Sequence, residues 1–180
     1  MNVAKHASSC DRIQKCRIDE ICMKTEIANS NRRCAHMKLT REAMNTRVKL
    51  THPQDTIANA ASAMKEFEVG MMPVVDNDKV VGAITDRDIV CRGVADNKDL
   101  TQTRVSDIMT RDVNACYDDQ GIDEVAQTMK ANKVRRVIVL NREDQLAGVI
   151  SLGDLAGHTH VETSGDVLRK VAEPGDTPKR

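Results

Sequence analysis

The stretch "VVGAITDRDIV", Val80 to Val90, is an apolar run that breaks at Thr85 into a cluster of charges. Nearly the same phrase returns as "LAGVISLGDLA", Leu146 to Ala156. Both read as a strand turning into a helix, with a hydroxyl residue at the corner (Thr85, Ser151) and an aspartate three positions on (Asp88, Asp154). Sliding the chain on itself by 65 residues carries the match outward: Met44 falls on Met109, Val48 on Val113, Ile57 on Ile122, Ala61 on Ala126, and Met64-Lys65 on Met129-Lys130. Val69 then meets Val134 and Val74 meets Val139. One extra residue near Glu143 makes the offset 66, which brings Gly82 onto Gly148 and Ile84 onto Ile150. A register kept across four separate elements is an internal duplication.

Each copy reads in the same order. A segment around Val48–Thr51 (Val113–Cys116) is extended. An amphipathic helix follows, with Ile57, Ala60, Ala61, Met64 and Phe67 at helical spacing and Ile122, Val125, Ala126 and Met129 as the copy. "MPVVD" and "VIVLN" read as buried strands, turned at Asp76-Asn77-Asp78 and at Asn141–Asp144. "KVVGAI" and "QLAGVI" are the returning strands, and helices start at Asp86 and Leu152. The unit is β-α-β-β-α. An apolar hairpin with helices on it is half a core, and the second copy supplies the cover. The expected fold is therefore α/β (α+β), two units packed with pseudo-twofold symmetry and hairpins face to face. Ile57, Met64, Val74, Val75, Ile84, Ile122, Met129, Val139 and Ile150 should be buried. The expected divisions are a Cys-containing extension at 1–36, repeats at 37–98 and 99–160, and a polar tail at 161–180.

Composition narrows the function classes. Lys+Arg and Asp+Glu are both 27, so no broad field steers nucleic acid or an anionic membrane. Phe67 and Tyr117 are the only aromatics, too few for base-stacking platforms. No apolar run approaches the ~20 residues of a membrane helix, and the first residues lack the apolar centre of a signal peptide. A cytoplasmic protein with reduced thiols or thiolate metal ligands is expected, with neither nucleic acid nor membrane as partner.

The repeated corner has two physical readings. As a cap, the hydroxyl accepts from a free amide of the helix, and the acid favours its N-terminus. As a nucleotide site, the amides and hydroxyl suit a phosphate, and the aspartate accepts both hydroxyls of a ribose. Gly82 and Gly148 allow close backbone approach beside each corner. Spacing alone leaves both readings open.

Beyond the spacing, "EVGMMPVVDNDKVVGAITDRDIV" and "KVRRVIVLNREDQLAGVISLGDL", with the "A..AM"-type helices before them, resemble the tandem cystathionine β-synthase (CBS) domain pair, or Bateman module. The resemblance runs from about Lys38 to His158. It implies a regulatory adenosine-type ligand: AMP, ADP, ATP, S-adenosylmethionine or a dinucleotide. Asp88 and Asp154 would hold ribose hydroxyls and Thr85 and Ser151 would sit at phosphate. Val48–Lys49 and Val113–Asn114 would line the adenine. Arg135 and Arg136 stand where family members place phosphate contacts, and guanidinium suits phosphate; Arg87 is a further phosphate candidate. Gly70 and Met71 are the counterparts of the arginine pair, so the two clefts should be unequal. Ile138 departs from the pattern where the first copy has Pro73. The resemblance further implies a homodimer packed through the helices around Ile89 and Leu155, and a regulated partner protein.

No catalytic constellation is visible. His6, His36, His52, His158 and His160 lie outside the strands, and Cys91 and Cys116 read as small core residues, so no enzyme is expected. Two rivals stand beside the ligand-binding module. One is a purely structural dimerisation module whose corners are only caps. The other is a metal or redox sensor using Cys10, Cys16, Cys22, Cys34 and His36, although six-residue cysteine intervals fit zinc's usual close pairs poorly. Met37 as the true start would account equally for the change of character before it.

Overall fold

A computed structural model of the chain describes residues 14–15, 38–159 and 161–173. Cys10, Cys16, Cys22, Cys34, His36 and Met37 lie outside the described residues. In the first repeat, helix α1 (Ile57–Glu66) leads to the hairpin β2 (Met71–Asp76) and β3 (Lys79–Thr85). A turn of helix, α2 (Asp86–Asp88), then continues as a π-helix over Ile89–Val94. The second repeat runs α3 (Val105–Ile108), β4 (Asn114–Tyr117), α4 (Ile122–Asn132), β5 (Arg136–Leu140), β6 (Leu146–Ser151) and α5 (Leu152–Ala156). Strand β1 (Gln14–Lys15) pairs in parallel with β4 at Asn114 and Ala115, and α6 (Val161–Ala172) follows the second repeat.

Local chemistry explains the elements. Thr56 caps α1 by accepting from the amide of Asn59. The β2–β3 turn puts Asn77 and Asp78 at φ 49° and 62°, left-handed values that Asn and Asp tolerate in a two-residue hairpin. Both hairpins carry a register irregularity at the same place, Val74/Val75 in one and Val139/Leu140 in the other. Both first helices end on a left-handed residue, Glu68 and its copy Lys133.

The duplication is visible in hydrogen bonds that cross between the repeats. The lead-in of each repeat packs on the other. Thr40 N donates to Gln120 O at 2.8 Å, and its copy Val105 N donates to Asp55 O at 2.8 Å. Ile122 N reaches Lys38 O, as Ile57 N reaches Thr103 O, both at 3.0 Å. Asn45 bridges Val149 on the free edge of β6, and Thr110 bridges Ala83 on the free edge of β3. These pairs are the pseudo-twofold relation expected from the sequence.

Three apolar clusters follow from this exchange. Ile57, Met64, Met72, Val74, Ile84 and Ile89 pack under the first repeat's helices together with Val105, Ile108 and Met109 from the second lead-in. Ala43 from the first lead-in joins Ile122, Met129, Val137, Val139, Ile150 and Leu155 in the second repeat. Between the hairpins lie Val75, Val80, Ala83, Val113, Ala115, Ile138 and Leu140. All nine residues expected in the core are buried. Ile138, in the place of Pro73, fills the inter-hairpin layer at 2% exposure.

Four expectations need correction. Phe67 is 48% exposed, because it stands at the C-cap of α1 where the apolar stripe has ended. Cys91 is exposed, while Cys116 is buried. Ile89 and Leu155 are buried inside their own repeats, so the apolar residues presented outward after the first corner are Val90 and Val94. The polar tail begins with α6, which packs on α4 and α5 and buries Val167 and Val171. Val167, Leu168, Val171 and Ala172 recur at helical spacing, a signal in the sequence that the tail reading passed over.

Candidate functional site

Both corners form the reciprocal cap that their spacing allows. Asp88 Oδ2 accepts from Thr85 N at 3.0 Å and from Thr85 Oγ1 at 2.7 Å, while Asp88 N donates to Thr85 Oγ1 at 3.1 Å. Asp154 Oδ2 accepts from Ser151 N at 2.8 Å and Ser151 Oγ at 2.6 Å, and Asp154 N donates back at 3.2 Å. The cap therefore uses one carboxylate oxygen at each corner. At the first corner the other oxygen, Asp88 Oδ1, meets Arg92 Nη1 at 3.2 Å. At the second, nothing among the described residues holds Asp154 Oδ1. That oxygen, on a half-buried side chain, keeps its acceptor capacity.

Each corner strand lies beside the other repeat's lead-in. The backbone neighbouring the second corner is that of Asn45, and the backbone neighbouring the first is that of Thr110. Val48–Lys49 and Val113–Asn114 lie further along these segments. Val113 is 7% exposed in the inter-hairpin layer, and Asn114 pairs with β1. Lys49 extends over the Phe67 ring, 4.5 Å from its centre.

Val48 and Lys49 line a cavity of about 430 Å³ with His52, Asp55, Ala60 and Met72, and none of the corner residues lines it. Asp55 organises its rim, accepting from Thr51 Oγ1 at 2.7 Å and His52 N at 2.8 Å. Burial pushes the Asp55 carboxyl up, but the His52 and Thr51 hydrogen bonds and the His52 charge hold it below the ordinary carboxylate value. His52 is exposed yet tied, its Nδ1 lying 2.9 Å from Val75 O.

The arginine candidates divide between the corners. Arg136 stands directly across the hairpin from Ser151, and Arg135 O accepts from Leu152 N at 2.9 Å. Met71 holds the equivalent position opposite Thr85. Arg87 is exposed within α2, its amide donating to Asp86 Oδ1. All three arginine side chains are exposed. Sequence reasoning missed Arg92 and the lead-in residues Asn45 and Thr110. The four-residue spacing of Asp88 and Arg92 was a visible signal for the first; nothing in the sequence announces which strand edge a lead-in will join. Among the described residues, no three His, Cys, Asp or Glu side chains gather as metal ligands, and no helix is long and apolar enough to cross a membrane.

The family model described as CBS domain matches residues 41–92 and again 105–160. The CBS domain-containing protein YhcV of Bacillus subtilis (strain 168) is 33% identical over 137 residues, covering 76% of this chain and 96% of that protein. The solved structure of Hypoxic Response Protein I with two coordinated zinc ions matches with a TM-score of 0.62 at 29% identity, over 68% of this chain and 100% of that one. The CBS domain pair of protein MJ0100, in complex with 5-methylthioadenosine and S-adenosyl-L-methionine, matches with a TM-score of 0.60 at 26% identity. That match covers 67% of this chain and 98% of the pair.

Proposed function

The chain belongs to the CBS domain family, with two copies in tandem, and we propose that it is a regulatory module binding an adenosine-type ligand between its repeats. The carrying observation is the uncommitted oxygen of Asp154. The cap consumes Oδ2, so Oδ1 can accept from a ribose hydroxyl without unwinding the helix. Arg136, facing Ser151 across β5 and β6, supplies a cation for phosphate, and Ser151 reaches the phosphate by turning its one hydroxyl proton away from Asp154 Oδ2. Arg87 and Arg135 are further phosphate contacts, and the lead-in beside each corner walls the base. The similarity to an S-adenosylmethionine-bound CBS pair supports the ligand class.

Regulation follows if the ligand prefers one arrangement of the repeats over another, since only differential affinity moves such an equilibrium. The readout surface is the outer face of the first repeat, where Val90 and Val94 are more than half exposed. There a second copy of the chain packs to give a homodimer, and the regulated protein reads the dimer. The module acts in the cytoplasm and carries out no reaction of its own.

Calorimetric titration with AMP tests the reading. The wild-type chain should bind, and Asp154→Ala should weaken the dissociation constant at least about tenfold, as loss of a charge-assisted contact requires. Equal affinity in both chains would leave the corner a cap and nothing more.

One observation favours a second reading. Hypoxic Response Protein I, 29% identical here, holds zinc, and this chain carries Cys10, Cys16, Cys22, Cys34 and His36 before the repeats. Stoichiometric zinc in untagged protein, lost when residues 1–36 are deleted, would establish it.

A further inference from the structure

Arg92 ties the first corner to the other repeat. Its Nη1 lies 3.2 Å from Asp88 Oδ1, donates to Ile108 O at 2.8 Å, and donates to Thr110 Oγ1 at 3.2 Å. Two of these three acceptors belong to the lead-in of the second repeat, the segment that runs beside the first corner. An exposed pair four residues apart on a helix is ordinarily worth little. Here the Asp88 side chain is only 13% exposed, and one cation joins two chain segments. Oδ2 accepts from Thr85, and Oδ1 is in ion-pair contact with Arg92, whose Nη1 protons go to Ile108 O and Thr110 Oγ1. Each oxygen of Asp88 thus has a partner that a ligand must displace or share.

The second corner is built differently. The copy of Arg92 is His158 (92 + 66), whose Nδ1 turns to the backbone oxygen of Asp154 at 2.9 Å and leaves the carboxylate alone.

We propose that Arg92 is an internal competitor for the first corner. A ribose takes Asp88 Oδ1 only after Arg92 leaves, and its departure releases the lead-in at Ile108–Thr110. The two corners are then unequal by construction: Asp154 is open and Asp88 is latched. Ligand at the first corner is coupled to loosening of the contact between repeats. This rests on the adenosine reading of the corners, and Arg92 acts as a positioning residue through Asp88.

The experiment has two arms. With AMP as probe, Asp154→Ala (and Asp154→Asn, should the alanine variant fold poorly) isolates the first corner for calorimetry. Adding Arg92→Ala should then tighten AMP binding roughly fivefold or more, the gain expected from removing a charge-assisted competitor. Unchanged affinity overturns the competition, and weaker binding overturns it in favour of Arg92 as a direct phosphate contact. In the second arm, hydrogen exchange of the full-length Arg92→Ala chain should show faster exchange at Thr110, with Asn45 unchanged as the internal reference. Equal protection at Thr110 overturns the latch whatever AMP does. Absence of AMP binding in every chain removes the adenosine reading and the competition together, and exchange at Thr110 still decides whether Arg92 holds the lead-in.

Discussion

The carbonyl oxygen of Thr110 lies 2.7 Å from the point that a β-carbon on Gly82 would occupy. Asn45 O stands in the same relation to Gly148, at 2.8 Å. Both glycines have ordinary backbone angles, so it is the crossing lead-in backbone of the other repeat, and not a turn, that forbids a side chain. Gly82→Ala and Gly148→Ala should each cost about 1–3 kcal/mol in urea unfolding, the usual penalty of overpacking. Gly165, in α6 with nothing within 4 Å, is the contrasting site. Gly165→Ala should stabilise by up to about 1 kcal/mol through helix propensity.

Asp55 predicts a component of acid sensitivity. Its carboxyl is held below the ordinary value of 3.8, so the folded state binds a proton less readily than the unfolded chain. The stability it supplies is complete above that value and is lost as pH falls through the lower folded one. The second repeat does the same work without charge, since Gln120 Oε1 accepts from Tyr117 N at 2.7 Å just as Asp55 accepts from His52 N. Asp55→Asn should therefore flatten the decline of melting temperature below about pH 4. An unchanged acid limb would remove Asp55 from the account.

The C-terminal helix should behave as part of the core. Val167→Ala, at a side chain 1% exposed, should destabilise by about 1–3 kcal/mol. Its neighbour Leu168, 57% exposed, should tolerate alanine within about 0.5 kcal/mol. Equal, small effects on thermal unfolding would mean that α6 does not hold its place on α4 and α5.

Ser151→Ala separates cap from ligand. It removes the hydroxyl that accepts from Asp154 N, and should cost about 1 kcal/mol of stability. Because Asp154 Oδ1 is untouched, AMP affinity should fall less than in Asp154→Ala. A larger loss for the serine variant, measured in the same titration, would place the main ligand contact on the hydroxyl.

Much of this architecture was legible because the duplication made each element testify twice. The helix at Ile57, the hairpin turn at Asn77 and the caps at Thr85 and Ser151 rest on local spacing, and local spacing reads directly. Phe67 failed because helical periodicity continues in the sequence for a residue past the last turn that has something to bury it. Cys91 failed because it was read from its residue type alone; two positions after the buried Ile89, it stands on the opposite face of the helical turn and is exposed. The lead-in exchange and the bonds from Arg92 to Ile108 and Thr110 were out of reach for a different reason. Both join residues of one repeat to the other, and a repeat pattern states that two units are alike without stating which part of one touches the other.

The crossing of the lead-ins has a consequence for how the halves relate as molecules. Each half carries an arm that fits the other's groove and a groove that fits the other's arm, and since the halves are copies, each is self-complementary. Two identical half chains could close the same contacts around a true twofold axis, as symmetric dimers do by exchanging an element. What the covalent link adds is effective concentration, of millimolar order for a short tether. The joined chain thus completes both grooves at any dilution, and is free to let its two corners diverge.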